Sequence, residues 1–412
     1  MAAFAVIGSP AAKAGPFTIN NIAVVRVGVA GGSLGSDAAA VSILEFTPGG
    51  SLVQTIDLPN ANGLPGVNAF TITGNASSEG LLTFGSLTTA PYLTLAGYNA
   101  TPGTTNPAGS TTINRVVARV GLDGTVNTST KLTSSYAGLS VKGAATSDGT
   151  NLWVTGAASN SGLTAGGLRS TTLGSSTSTA VGSPANDLRQ VQIINGNLYV
   201  AAADTTPGRS VFKVGAPGDS GTGPNPNLPR MGSPTIAGQN ATDIALAGKT
   251  YNSFYFTNLG SGNDWAPNGR STGFDTLYAL NSATGVVEKW SFTDGIGWES
   301  SGSIIQGGLL NLTGVTIGKN VVLYLTGNGP TNNGLNVLQD GTGHGVNINS
   351  TLPTLLAGTG NSGYQFRGVA VVPEPSSLAL CGLAGAGLAG LGIRRRKSKG
   401  SPEGDTPRVS GV

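Results

Sequence analysis

The feature that most constrains this chain is a short strand pattern that keeps returning along it. Small or polar residues lead into a β-branched or apolar run at 67–74 (VNAFTITG), 141–148 (VKGAATSD), 188–195 (LRQVQIIN), 241–248 (ATDIALAG), 312–319 (LTGVTIGK) and 366–372 (FRGVAVV). A Gly- or Asn-containing turn and a second strand follow most copies, as at 151–156 (NLWVTG), 197–201 (NLYVA), 253–257 (SFYFT) and 322–327 (VLYLTG). Third and fourth strands form hairpins, seen at 43–53 (ILEFTPGGSLV), 117–126 (VARVGLDGTV) and 277–287 (LYALNSATGVV). Apolar and polar residues alternate in these runs, which marks one buried face per strand. Four strands per unit, at intervals of roughly 45–70 residues, predict a β-propeller with uneven loops.

The order of the copies sharpens that expectation. Residues 22–28 (IAVVRVG) open a unit that lacks its first strand, and 366–372 is a first strand alone. Paired, the two chain ends complete one blade and remove exposed strand edges, which invite aggregation. The count is about six four-stranded blades, or seven if loops such as 97–109 hide strands. A β-sandwich or two stacked β domains is the competing architecture.

Composition supports an all-β body over residues 15–372. Of 412 residues, 66 are Gly and only 10% are charged, well below the roughly 25% of ordinary globular proteins. Gly-rich turns between β-branched runs favour short strands over helices. A hydrophobic content of 38% is too high for a disordered polymer. The net charge is +3, but Arg394, Arg395, Arg396 and Lys397 supply four positive charges, which leaves −1 for the rest. No basic face remains to follow a phosphate backbone, so no nucleic-acid partner is expected. One cysteine, Cys381, excludes an intramolecular disulfide framework.

The most specific segment is C-terminal. Pro373, Glu374 and Pro375 precede an uncharged run over 378–393 (LALCGLAGAGLAGLGI), and the cluster Arg394 to Lys397 follows it. The run sits at the lower edge of the roughly 17–25 residues that span a bilayer as a helix. It has no polar stripe, as a core helix would. The basic cluster predicts a cytoplasmic stop that leaves the preceding chain outside. This three-part order resembles the PEP-CTERM sorting signal of Gram-negative bacteria, and the likeness covers 372–397.

The resemblance implies an exosortase, a membrane cysteine protease, as the partner that recognises Pro373-Glu374-Pro375 and cleaves nearby. It further implies export across the inner membrane as a membrane-anchored precursor. Release to the cell surface or extracellular matrix, often with exopolysaccharide and biofilm, would follow. Such signals usually stop soon after the basic residues, whereas 398–412 continues here as a polar tail, read as disordered. Leu378 to Gly382 loosely resembles a lipobox, but a lipobox belongs at an N-terminus and wants a small residue where Leu380 stands. Cys381 therefore reads as a small apolar residue of the helix.

Residues 1–14 read as a truncated signal peptide. Ala12-Lys13-Ala14 fits the small-x-small cleavage pattern, and the missing basic region predicts a start upstream of Met1. An ordinary N-terminal arm is the alternative.

Chemistry is sparse. His344, in a Gly-rich loop, is the sole histidine, so no multi-histidine metal site is expected, and no nucleophile-elbow sequence accompanies it. Asp-Gly pairs at Asp123, Asp148, Asp294 and Asp340 lack EF-hand spacing and read as hairpin turns. Neither metal nor cofactor is expected. Asn-x-Ser/Thr sites such as Asn75, Asn127 and Asn311 carry no weight in so Asn- and Thr-rich a chain.

The loop 259–274 (LGSGNDWAPNGRSTGF) sets Trp265 among Asn263, Asp264 and Asn268. A flat apolar ring beside polar groups is what a sugar-binding site wants. The other reading is that Trp265 folds back over its blade. Two function classes follow. One is a noncatalytic surface or matrix protein with few titratable groups. The other is a propeller enzyme or lectin-like module acting on extracellular polysaccharide. The enzyme needs two carboxylates converging on the central channel, with Asp187 and Asp243 as candidates. The noncatalytic protein is the expectation.

Overall fold

The computed structural model describes residues 14–86, 90–158, 166–182, 187–203, 210–214, 244–246, 249–266, 271–372 and 411. These residues form an all-β, propeller-like body of antiparallel strands. The first group contains β1 (Ile22–Gly28), β2 (Ala38–Phe46) and β3 (Leu52–Asp57). A short β4 (Thr71–Thr73) pairs with the start of β2 and meets the next group through Thr71 opposite Tyr98. That group is β5 (Thr83–Ser86), β6 (Ala90–Tyr98), β7 (Arg115–Gly121) and β8 (Val126–Leu132), so β4 joins the two, eight strands in all, into one sheet to which the chain's final strand adds a ninth.

Four separate four-stranded sheets follow. They are β9 (Val141–Thr146), β10 (Asn151–Gly156), β11 (Leu168–Thr172) and β12 (Thr179–Gly182); then β13 (Leu188–Ile194), β14 (Asn197–Ala202), β15 (Val211–Val214) and β16 (Ile244–Leu246). Next come β17 (Ser253–Thr257), β18 (Thr276–Asn281), β19 (Val286–Thr293) and β20 (Gly297–Ile305). The last are β21 (Leu309–Ile317), β22 (Asn320–Gly327), β23 (Gly334–Asp340) and β24 (Thr354–Gly358). The final strand, β25 (Tyr364–Val371), returns to β1 and pairs along it from Ile22 opposite Val371 to Gly28 opposite Tyr364. The two ends of the body thus share one sheet, as the order of the sequence copies predicts. Among the described residues no single sheet closes on itself.

Each sheet buries both faces, and its core is divided among its neighbours. Ala23, Val25, Ile43 and Phe70 pack with Leu93, Leu95 and Val116 between the first two groups. Ala96 and Val117 meet Val141 and Leu152 at the next junction, and Trp153 and Leu168 meet Leu188 and Val200 at the one after. Tyr199 and Val211 face Phe254 and Leu277; Tyr278 and Val287 face Leu312 and Leu323. Tyr324 and Leu335 meet Leu44 and Phe366, which brings the series back to the first group. The first strands touch in the same circular order, β5, β9, β13, β17, β21, β25 and β5 again.

Close approach of the first strands explains a shared glycine in the repeated pattern. A side chain at Gly143 would meet the Arg189 carbonyl, one at Gly314 the Tyr255 ring, and one at Gly368 the Gly80 carbonyl at 2.3 Å. Glycine is therefore required where the inner strands crowd together. Threonines on second strands tie neighbouring groups together at three junctions: Thr94 donates to the Ala144 carbonyl at 2.9 Å, Thr155 to that of Arg189, and Thr326 to that of Arg367. The β13–β14 hairpin turns on Asn195 and Gly196, both at positive φ (50° and 73°), the two-residue turn that matches strand twist.

Two copies of the pattern occupy other places. Residues 67–74 contain β4 rather than an inner strand; the inner strand of that group is β5. Residues 241–248 contain β16, the outer strand of its sheet, so 253–257 is a first strand and not a second. The polar outer strand β20 went unread in the sequence. Residues 99–109 contain no strand, which removes the seventh blade proposed there. The transmembrane run 378–393 and the N-terminal segment 1–13 lie outside the described residues. Among those described, no helix is long and apolar enough to cross a membrane.

Candidate functional site

The first strands surround a cavity of about 420 Å³. Thr83 and Phe84 come to it from β5, Gln190, Gln192 and Ile194 from β13, and Tyr255 and Phe256 from β17. Thr313 and Thr316 of β21 and Val369 to Val371 of β25 complete the wall, whose described residues carry no ionisable group except the Tyr255 phenol. Gln190, Gln192 and Ile194 line it because residues two apart share a strand face. Gln190 stands in β13 at the place where β9, β21 and β25 have glycine. Its carboxamide oxygen accepts the Phe254 N–H at 2.9 Å, and Gln192 Nε2 donates to the Phe254 carbonyl at 3.1 Å. Tyr255 lies flat on Gly314 with its hydroxyl 2.9 Å from that of Thr316, and Thr257 joins this hydroxyl chain at 2.6 Å. Burial pushes the Tyr255 phenol up, so it stays neutral.

A set of buried charges lies between the inner strands. Residues 80 and 81 bridge β25 and β9, with Gly80 accepting from Gly368 N and Leu81 donating to the Lys142 carbonyl. Glu79, just before them, is buried and accepts from Thr73 N at 2.9 Å and Tyr98 Oη at 2.8 Å. Burial raises its carboxyl above the usual range, against those hydrogen bonds and the nearby Lys142. Lys142 in turn is lowered by burial and held up by its ion pair with Asp187. Asp187 also takes both Nε and Nη2 of Arg189, at 3.1 and 3.0 Å. Arg367, fully buried, donates to the Gly74 carbonyl at 2.8 Å, and burial lowers its guanidinium to about 10.

Of the two readings of Trp265, its burial favours the one in which the ring folds back over its blade. The ring is 2% exposed and stacks on Phe256 at 5.5 Å, with Trp298 at its edge at 5.7 Å. Its loop folds back through Trp265 N to the Phe274 carbonyl and Thr272 Oγ1 to the Trp265 carbonyl. No face is left for a ligand. Asn263 and Asp264 organise the loop: Asn263 Oδ1 accepts Asp294 N and Asp264 Oδ1 accepts Gly273 N. Asn268 lies outside the described residues.

Of the two carboxylates proposed for the channel, Asp187 is clamped by Lys142 and Arg189, and Asp243 lies outside the described residues. His344 Nε2 sits 2.9 Å from the Phe292 carbonyl, an anchor for its loop. The Asp-Gly carboxylates at Asp123 and Asp148 accept backbone N–H groups of their own turns. The polar cavity residues Gln190, Gln192 and Thr313 were not singled out from the sequence. Their one signal was a pair of glutamines in an element that elsewhere carries small residues.

Pro373, Glu374, Pro375 and Arg394 to Lys397 lie outside the described residues; Val372, just before them, is buried and hydrogen-bonded to Asn20 and Asn21. Comparison of sequences identifies the PEP-CTERM protein-sorting motif at residues 371–397. The motif implies export, sorting to the cell envelope or surface of a Gram-negative bacterium, and processing by an exosortase. No curated protein matches the chain.

Among solved structures, one from Bacteroides uniformis described as a 6-phosphogluconolactonase is 10% identical, with 81% of this chain and 83% of that one covered and a TM-score of 0.43. Regucalcin from Agrobacterium tumefaciens, a calcium-binding protein, is 11% identical over 83% and 94%, with a TM-score of 0.34. The periplasmic gluconolactonase of Pseudomonas aeruginosa is 12% identical over 85% and 99%, with a TM-score of 0.32.

Proposed function

We propose that this chain is a noncatalytic surface or extracellular-matrix protein, whose body is a six-bladed propeller closed by the pairing of β25 with β1. The sorting motif at 371–397 is the observation that carries the reading. Its C-terminal run, 378–393, anchors the precursor in the inner membrane until the exosortase cuts near Pro373-Glu374-Pro375, and the body then remains at the surface or in the exopolysaccharide matrix. Six four-stranded groups, six cores between them and the circular contact of the first strands support the propeller.

The charge distribution supports a noncatalytic role. Polysaccharide cleavage by the usual route needs two carboxylates across one cavity. Among the described residues the cavity wall bears none, and Glu79 and Asp187 are each committed to partners within the fold. Such a body acts as a rigid, low-charge scaffold. The test is a triple substitution of Pro373, Glu374 and Pro375 to alanine in the native host. The unchanged protein is expected at the surface or in the medium, and the variant as full-length precursor in the inner membrane. Equal surface delivery of both would refute the reading.

A further inference from the structure

We propose that the central cavity binds a neutral sugar unit, held by stacking and uncharged hydrogen bonds rather than by ions. This deepens the noncatalytic reading given above and rests on it only for the biological setting. Three observations carry the inference. The cavity, about 420 Å³, falls within the roughly 300–1,000 Å³ typical of small-ligand sites and has room for a mono- or disaccharide.

Its wall pairs apolar faces with hydrogen-bonding groups that the fold leaves spare. Tyr255 and Phe84, both only partly buried, supply rings, and sugar C–H faces stack on such surfaces. Gln190 lines the cavity and spends its carboxamide oxygen on Phe254 N, and among the described residues its Nε2 donor has no bond. Gln192 likewise bonds through Nε2, and among the described residues Thr313 Oγ1, which also lines the cavity, has no bond. Polar groups that line the cavity without a bond inside the fold are free to meet a ligand's hydroxyls.

The wall also explains what is excluded. It offers no cation to a uronate, phosphate or sulfate, and burying an unpaired anion there would be costly. The preferred ligand is therefore neutral, with hydroxyls that both donate and accept. Such a unit could be a free sugar or the end of a neutral glycan chain.

Titration calorimetry on the purified full chain tests this with maltose, cellobiose, lactose, their tetrasaccharide or longer homologues, and glucuronic acid. At least one neutral disaccharide is expected to bind with a Kd below about 10 mM, and glucuronic acid at least tenfold more weakly. A longer homologue binding as well as the disaccharide indicates a chain end; preference for the disaccharide indicates a free sugar.

Thr313→Val removes a hydroxyl that bonds to no described residue, so it should keep the unfolding midpoint while weakening binding about fivefold to tenfold. Thr313→Trp fills the cavity and should abolish binding. Gln190→Glu keeps the acceptor for Phe254 N and loses the donor, and should also abolish it. Absence of binding by every neutral sugar, or unchanged binding in Thr313→Trp, overturns the proposal and leaves the export experiment unaffected.

Discussion

The buried pair Lys289–Asp340 offers the sharpest energetic test of how the sheets are joined. Both side chains are fully inaccessible, with Lys289 Nζ 2.9 Å from Asp340 Oδ2. The carboxylate also receives Tyr278 Oη at 2.6 Å, Thr342 N at 3.1 Å, Thr342 Oγ1 at 2.7 Å and Asn349 N at 3.3 Å. The ammonium has two further partners, Thr342 Oγ1 at 2.8 Å and the Gly343 carbonyl at 2.6 Å. Through this pair the loop after β23 is strapped onto β18 and β19 of the preceding sheet.

Removing one partner of a buried pair costs about 3–5 kcal/mol, because the other charge stays desolvated. Asp340→Ala should fall near the top of that range, since it strands an ammonium and orphans four other donors. Lys289→Met should cost less, about 2–3 kcal/mol, because the carboxylate keeps four hydrogen bonds. The double variant should cost clearly less than the two single changes together, by about 1 kcal/mol or more.

Urea unfolding of the purified protein measures all three. Burial alone would raise the Asp340 carboxyl, but its hydrogen bonds from Tyr278, Lys289 and Thr342 outweigh that and hold it below the usual 3.8. A lowered folded value means the stabilisation is present above 3.8 and is lost as pH falls through the folded value. Single-variant costs below about 1 kcal/mol, or strict additivity, would refute the reasoning.

Trp265→Ala should destabilise the protein by about 3–5 kcal/mol as a core truncation, read by the same urea unfolding. An unchanged unfolding midpoint would mean that the ring is on the surface after all. Glu79→Gln should alter the pH profile with the opposite sign to Asp340. Burial raises the Glu79 carboxyl above 4.5, so its contribution is full below that value and lost as pH rises through the folded value. The variant should therefore gain stability relative to the unchanged protein as pH rises above 4.5. A constant difference across that range would contradict the assignment.

The repeat was legible in the sequence because inner and second strands carry buried, periodic residues. The runs at 141–148, 188–195, 312–319 and 366–372 lie on β9, β13, β21 and β25, and the pairing of 22–28 with 366–372 follows from their order. Outer strands were harder. β20 reads GWESSGSII, with exposed Glu299 and Ser300, because an edge strand lacks the apolar periodicity of a buried one. β16 reads like an inner strand because IAL is apolar enough for either place.

The sequence leaves Trp265 open between its two readings because its neighbours in the chain are polar, whereas its surroundings in space, Phe256, Phe274 and Trp298, come from other strands and a turn. The cavity was illegible for a related reason. Gln190 and Thr313 gain meaning only once five strands from distant parts of the chain converge on them. The sorting signal needed no such convergence, since a Pro-Glu-Pro, an apolar run and a cationic cluster are contiguous.

The intact mass of the protein recovered from the cell surface or medium tests the central claim most directly. Removal of the signal predicts a chain that ends near Pro375, with the apolar run and Arg394 to Lys397 gone. A recovered chain that still carries Val412 would contradict the account.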